Sequence, residues 1–521
     1  MASSRRATHR SVFALALTAG LLLSSCSSGG SDTGGGGSAG EPVAGGELSV
    51  GVVGGSVKDT LDAHVPVTHP DQARVVQLYS TLVEYTPERE FEMALAESVE
   101  PGDEARSWTV TLREGLSFSD GSPITSADVV ASIRRITDPE DPKAGATALA
   151  SLDRDSIKTP DARTAVFTFT EPTITFIDSL AEYSSGIVPS DYDPAAPVSS
   201  GPFALDTFEP GKQSTFTRNE HYFREGEPYV DSLTLINFPD DTARVNALLG
   251  GQVDAIDALP LGQTSVIEAN DAFHILESPS GSWLPFTMRV DQAPFDDVRV
   301  RQAFRLIVDR QQMVEQALDG HGDVGNDMYA PYDDCTPELP QREQDIEEAK
   351  RLLADAGQSD LTVELVTAPV AAGVVEAAQV FAQQAKEAGV TVQLNRVEAG
   401  EFYGENYPNW TFAQDFWFTR DYLQQTTFSG FDTSPYNETH WSDPEWTKIV
   451  RDARGELDAD RRCALIAEAQ EIEYNTGGYI IWGFPSTIDA YRDGVHGFVE
   501  DPSGMPLSSF RLRQVWLDGT A

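Results

Sequence analysis

Between Leu361 and Leu394 the chain alternates in a way that few folds accommodate. Leu361-Thr362-Val363-Glu364-Leu365-Val366 has the period of a strand, residues 374–388 have helical spacing and are rich in Ala and Gln, and Val390-Thr391-Val392-Gln393-Leu394 is a second strand. Strand, helix and strand in that order predict a βαβ unit with a parallel pair, which places the chain in the α/β class.

The rest of the chain agrees. Glu47-Leu48-Ser49-Val50-Gly51-Val52-Val53 alternates like a strand and is broken by Gly54 and Gly55; Trp108-Thr109-Val110-Thr111-Leu112 is another. Residues 72–85 place Ala73, Val76, Leu78, Tyr79, Leu82 and Val83 at helical spacing. Asp120-Gly121 supplies a tight turn, and Thr125 with Asp128 suits a cap for a helix carrying Val129, Val130, Ile133 and Ile136. From an Asp297 cap, one helix is predicted through Phe304, Ile307, Met313 and Leu318 to a stop at Gly320, and another from Asp345 to Ala356, ending at Gly357. No repeat of fixed period occurs, which excludes solenoids.

At the amino end, Arg5, Arg6 and Arg10 precede an apolar run from Val12 to Leu23, too short for a permanent span and typical of a signal peptide, residues 1–25. Leu23-Ser24-Ser25-Cys26 resembles the lipobox of bacterial lipoproteins, which implies lipidation of Cys26 as the mature amino terminus. Residues 26–46 are rich in Gly and Ser without apolar periodicity and form a flexible tether. The expected location is therefore extracytoplasmic, on the outer face of the cell membrane, with membrane contact only through the lipid anchor.

The net charge is −45, and about −48 after the signal peptide is removed, so polyanions are repelled and nucleic-acid binding is not expected. The acidic residues are dispersed, which fits a solvated surface better than a cationic-ligand site. Besides Cys26 only Cys335 and Cys463 remain; in an oxidising space they can form one disulfide, and spacing leaves open whether they do.

Three stretches together resemble the family 5 solute-binding proteins of bacterial ABC importers, the dipeptide, oligopeptide and nickel-binding group. They are residues 112–129, from Leu112-Arg113-Glu114-Gly115 through Asp120-Gly121 to Asp128-Val129; Ser200-Gly201-Pro202-Phe203 with Arg218-Asn219-Glu220-His221-Tyr222; and Phe295-Asp296-Asp297-Val298-Arg299 with Asp309-Arg310 and Gly320. Each motif is mostly scaffold, setting turns and helix entries, so it speaks for the fold and not for the ligand. The resemblance implies a two-lobed periplasmic-binding-protein-like fold with a hinge, of type II and the large peptide-binding class. Residues 47–279 and 489–521 would form lobe I, residues 280–488 lobe II, with crossings near Ser280 and Ile488. It further implies a monomer that captures a small ligand, foremost a peptide, by lobe closure and delivers it to an ABC permease and ATPase complex.

The family holds a peptide's amino group with an aspartate that follows an aromatic residue. In Trp417-Phe418-Thr419-Arg420-Asp421 the pair Phe418 and Asp421 fits that spacing, although tryptophan is more common at the position of Phe418. The resemblance therefore implies a substrate contact at Trp417, Phe418, Thr419, Arg420 and Asp421, with a charge-assisted bond from the ligand ammonium to Asp421. The alternative for Asp421 is a surface pair with Arg420. The loop Val67-Thr68-His69 lies where the family's first lobe contacts the ligand backbone.

Two other ligands remain open. The aromatic stretch with Tyr403, Tyr407, Trp410, Trp417 and Phe418 would suit an oligosaccharide, and His64 with His69 on one loop would suit nickel. An enzyme is not expected, because the one Gly-x-Ser-x-Gly match, Gly36-Gly37-Ser38-Ala39-Gly40, lies in the tether and not at a strand-to-helix elbow, there is no zinc helix or phosphate loop, and neither catalytic residues nor a cofactor nor a resident metal is predicted.

Overall fold

The computed structural model describes residues 41–519, so the signal peptide, Cys26 and most of the tether lie outside the described residues. The tether's last two glycines already belong to the body: Gly45 N–H donates to the Tyr229 carbonyl at 2.8 Å and Gly46 N–H to the Asp231 carboxylate at 3.2 Å.

Two sheets organise the chain. The larger has seven strands in the order Phe273–Ser278, Thr487–Arg492, Ala255–Ile256, Glu47–Val53, Ser232–Phe238, Gln213–Arg218 and Phe203–Glu209. Glu47–Val53 runs parallel to both neighbours, with Val50 opposite Leu235 on one side and Ala255 on the other. Buried on both faces, it uses Leu48, Val50 and Val52 as core. The second sheet has five strands in the order Thr391–Arg396, Thr362–Thr367, Phe412–Gln414, Pro285–Met288 and Tyr479–Ile481. Its first pair is the βαβ unit of the sequence: Thr362–Thr367 and Thr391–Arg396 are parallel, joined through the helix Val374–Glu387. A smaller antiparallel sheet of Ala96–Pro101, Ser107–Leu112 and Thr164–Thr168 packs Trp108 and Phe167 against Phe176.

Residues 279–284 lead from the large sheet to the five-stranded one, and residues 482–486 lead back. The two passages touch, since Ser280 Oγ donates to the Pro485 carbonyl at 2.6 Å. Cys335 and Cys463 are joined as a disulfide, with Cα atoms 4.5 Å apart.

Two predicted helices are corrected. The helix expected over residues 72–85 is His69–Leu78; Tyr79 turns extended and Val83–Tyr85 is a strand. The Tyr79 hydroxyl donates to the Leu61 carbonyl at 3.0 Å and its ring meets Tyr192 edge-on, so burial of this side chain overrides the local helical stripe. The helix expected from Asp297 to Leu318 is two, Val298–Ile307 and Arg310–Ala317. Asp309 breaks it by capping the second, accepting from Gln312 N–H at 3.0 Å.

Candidate functional site

A cavity of about 1050 Å³, its open mouth included, lies between the two parts of the chain. Tyr79 to Arg89, Glu182, Tyr183 and residues 501–513 form one wall; Phe418, Thr419, Arg420 and Gln424 form the other.

The second wall is the segment leading into the helix Tyr422–Ser429. Trp417 anchors it: its backbone exchanges two 3.0 Å hydrogen bonds with Trp283, and the two indoles stack with centroids 5.8 Å apart. That ring is buried behind the wall. Thr419 ties the wall to the opposite one, its hydroxyl donating to the Pro502 carbonyl at 2.5 Å and its N–H to the Ser503 carbonyl at 3.4 Å.

The first wall depends on an unusual backbone. Leu507, Ser508, Ser509 and Phe510 all have φ between 49° and 60°, a left-handed turn without a glycine. Two buried carboxylates hold it. Asp489 accepts from Leu507 N–H at 2.5 Å and from Ala258 N–H at 2.9 Å, while Asp501 accepts from the Ser509 hydroxyl at 2.9 Å and pairs with Arg511. The turn delivers Ser509, Arg511 and Arg513 to the cavity.

Asp421 caps the helix Tyr422–Ser429 through its backbone only. Its carboxylate instead accepts from Arg89 Nη2 at 2.7 Å, bridging the two walls. Arg89 lies over the Tyr85 ring at 4.4 Å, and the Tyr85 hydroxyl donates to Asp178 at 2.7 Å. Burial, with the charge of Asp421 adding to it, pushes the Asp178 carboxyl up to about 7. The Arg420–Asp421 pair does not form: Arg420 turns to Phe428, 4.5 Å from its ring, and to Glu182 at 3.6 Å.

Of the residues singled out in the sequence, then, Phe418, Thr419 and Arg420 line the cavity, Asp421 meets it through Arg89, and Trp417 supports it. Val67, Thr68 and His69 are not on its walls. Val67 is 76% exposed; Thr68 is spent in a capping box with Asp71; His69 Nδ1 lies 2.9 Å from Asp257 and faces a second cavity with Arg244 and Asp489. Nor do the two histidines meet: His64 is buried between the Gly186 carbonyl and Arg135, and burial holds its imidazole at about 4. Among the described residues no group of three His, Cys, Asp or Glu side chains is arranged to hold a metal. Tyr403, Tyr407 and Trp410 pack with Phe402 and do not face the cavity; the Tyr403 and Tyr407 hydroxyls donate to Asp415 and Glu438.

Sequence reasoning missed Arg89, Glu182, Arg511 and Arg513. The alternation Phe510-Arg511-Leu512-Arg513, placing cations among apolar residues in a strongly acidic chain, was the available signal for the last two.

A cleft walled by both halves of a chain that passes twice between two α/β bodies defines a ligand-capture protein, not a barrel or an open sheet with one edge site. The profile of the Bacterial extracellular solute-binding proteins, family 5 Middle, matches residues 90–438, and the chain belongs to this family. It is 24% identical over 522 residues to the glutathione-binding protein GsiB of Escherichia coli K12, covering 95% of this chain and 96% of that one. Among solved structures it is similar to the periplasmic binding protein AgaA of A. tumefaciens R10 in complex with agropinic acid, at TM-score 0.79 and 25% identity over 91% of this chain and 99% of that one. DppA of Helicobacter pylori in complex with the peptide STSA superposes with TM-score 0.77 at 19% identity, covering 92% and 99%.

Proposed function

We propose that the protein is the substrate-binding component of an ABC importer, capturing a peptide in the cleft between its two halves and handing it to a permease and ATPase complex. The observation that carries this reading is the cavity itself, whose walls come from both sides of the double passage, so that a ligand touching both favours closure. Glutathione and peptides among the named ligands of its relatives support the substrate class. Residues near Ser280 and Ile488 act as the hinge, and Phe418, Thr419 and Arg420 contact the ligand. The protein works outside the cytoplasm as a monomer, tethered through a lipidated Cys26 after removal of residues 1–25, and it binds without chemical conversion. Among the described residues no helix is long and apolar enough to cross a membrane.

Native mass spectrometry of the purified protein, followed by thermal shift against peptides, oligosaccharides and divalent nickel, tests this reading. Peptide adducts with a raised melting temperature are expected, because a ligand bound only to the native state stabilises it by mass action. A shift with sugars or nickel alone overturns the peptide assignment, and turnover of a ligand overturns the binding role.

A further inference from the structure

The cavity's polar groups are unevenly satisfied. All three wall carboxylates are engaged: Glu84 accepts from Arg513 at 2.7 Å and Arg224 at 3.3 Å, Asp501 from Ser503 N–H and Ser509 besides its Arg511 pair, and Glu182 from Gln424 Nε2 at 2.7 Å. Three buried atoms of the lining have no partner among the described residues, namely Arg89 Nε, Arg420 Nε and the Tyr222 hydroxyl oxygen. Each can donate a hydrogen bond, and none is an unsatisfied carbonyl or carboxylate. An unpaired buried donor is costly, so the ligand that relieves these groups brings acceptor oxygens.

Arg420 is the cation best placed to use them. Unlike Arg511 and Arg513, whose guanidinium groups are bonded to Asp501 and to Glu84 and Glu227, it donates to no acceptor within hydrogen-bond distance among the described residues. Its nearest carboxylate is Glu182, at 3.6 Å and already taken by Gln424. Stacking on Phe428 fixes the plane of its fork, which limits the entropy lost when a planar partner arrives. At Asp421, meanwhile, Oδ1 already accepts from Arg89 Nη2, so a ligand ammonium there would have to share the carboxylate with a guanidinium.

We infer that this cavity takes a ligand carboxylate on Arg420, while Arg89 remains on Asp421 and removes the need for a free ligand amino group. This rests on the peptide-capture reading and narrows it to acidic peptides, with blocked amino ends tolerated. The geometry favours a carboxylate over a neutral amide, because the fork offers two parallel charge-assisted bonds that an amide can match only in part.

The test offers the full protein a pool of synthetic tripeptides with amidated carboxyl ends, so that a side chain supplies the only carboxylate, half of them N-acetylated, and reads the captured masses by native mass spectrometry. Calorimetry then compares the captured peptides with their Glu→Gln or Asp→Asn counterparts in wild type, Arg420→Met and Arg420→Lys. Wild type is expected to hold acidic peptides about tenfold or more tighter than their amides, a difference of one ordinary charge-assisted contact, and to accept acetylated and free forms within about threefold. Arg420→Met brings acid and amide to equal affinity; Arg420→Lys, which keeps the charge and loses the fork, retains part of the preference and covers the case that the methionine variant does not fold. Equal capture of acids and amides by wild type, a preference untouched in both variants, or loss of binding on acetylation overturns the inference while leaving peptide capture standing. Capture of no peptide at all overturns peptide capture and this inference with it.

Discussion

The guanidinium of Arg89 and the carboxylate of Asp421, 332 positions apart in sequence, meet at 2.7 Å and join the two walls of the cleft. Arg89 is 10% exposed and Asp421 31%, which puts the pair between a surface ion pair and a buried one. Removing Arg89 also leaves Asp421 facing Asp178, two carboxylates that already repel. Arg89→Met and Asp421→Asn should each lower the melting temperature, and the double variant should be less destabilised than their sum by about 1 kcal/mol. Small-angle scattering of unliganded Arg89→Met should show a larger radius of gyration than wild type; an unchanged radius and additive effects would deny the bridge a role in closure.

Glu473 accepts hydrogen bonds from the hydroxyls of Tyr329 at 3.1 Å and Tyr422 at 2.9 Å, and burial pushes its carboxyl to about 7 from an ordinary 4.5. A raised carboxyl means that the folded state holds a proton the unfolded chain has already lost. Its contribution is therefore complete below pH 4.5 and declines as pH rises towards 7. In denaturant titrations Glu473→Gln should gain on wild type by up to ~3 kcal/mol across that window. A constant difference between the two proteins would contradict the raised carboxyl.

The Cys335–Cys463 bond closes a loop of 128 residues and ties the segment after Ala330 to the helix Ala459–Thr476. Constraining so long a loop in the unfolded chain is worth about 2–4 kcal/mol. Cys335→Ser with Cys463→Ser should melt several degrees lower, as should wild type under strong reductant, whereas reductant should leave the double variant unmoved.

At Gly201 a Cβ would stand 2.4 Å from the Gln77 carbonyl oxygen and 2.8 Å from Tyr79 N, both backbone atoms that cannot swing aside. Gly201 N–H donates to the Leu78 carbonyl at 2.9 Å, and the Asn219 side-chain amide donates to Gly201's own carbonyl at 2.8 Å. Gly201→Ala should therefore cost about 2 kcal/mol or more by separating the motif from the helix His69–Leu78. Chemical denaturation measures it, and a loss within error would mean that the turn relaxes freely.

That glycine shows what was legible. Local signals carried the βαβ unit, the strand Glu47–Val53 and the capping box at Thr125, because each is decided within a few residues. The helix ends at Tyr79 and Val308 were not, because a buried tyrosine and the Asp309 cap outweigh a continuous apolar stripe. In the site, the aromatic-to-aspartate spacing led to Phe418 and Arg420, but it could not reveal that Asp421 would find Arg89, since nothing near either residue encodes the other. The left-handed turn over Leu507 to Phe510 was equally hidden: no glycine or asparagine marks it, and it is held by Asp489 and Asp501 from outside the turn.

In the large sheet, Thr487–Arg492 sits between Ala255–Ile256 and Phe273–Ser278. A chain threaded through a membrane amino end first would emerge with a vacant slot at that place. All five strands of the second sheet lie between Pro285 and Ile481, so that half can finish its hydrogen bonding while the slot is still empty. The half that begins the chain is thus the last to be completed. Until its penultimate long segment arrives, two unpaired strand edges flank the gap, and they are where a holding chaperone would grip or a neighbouring copy would misdock.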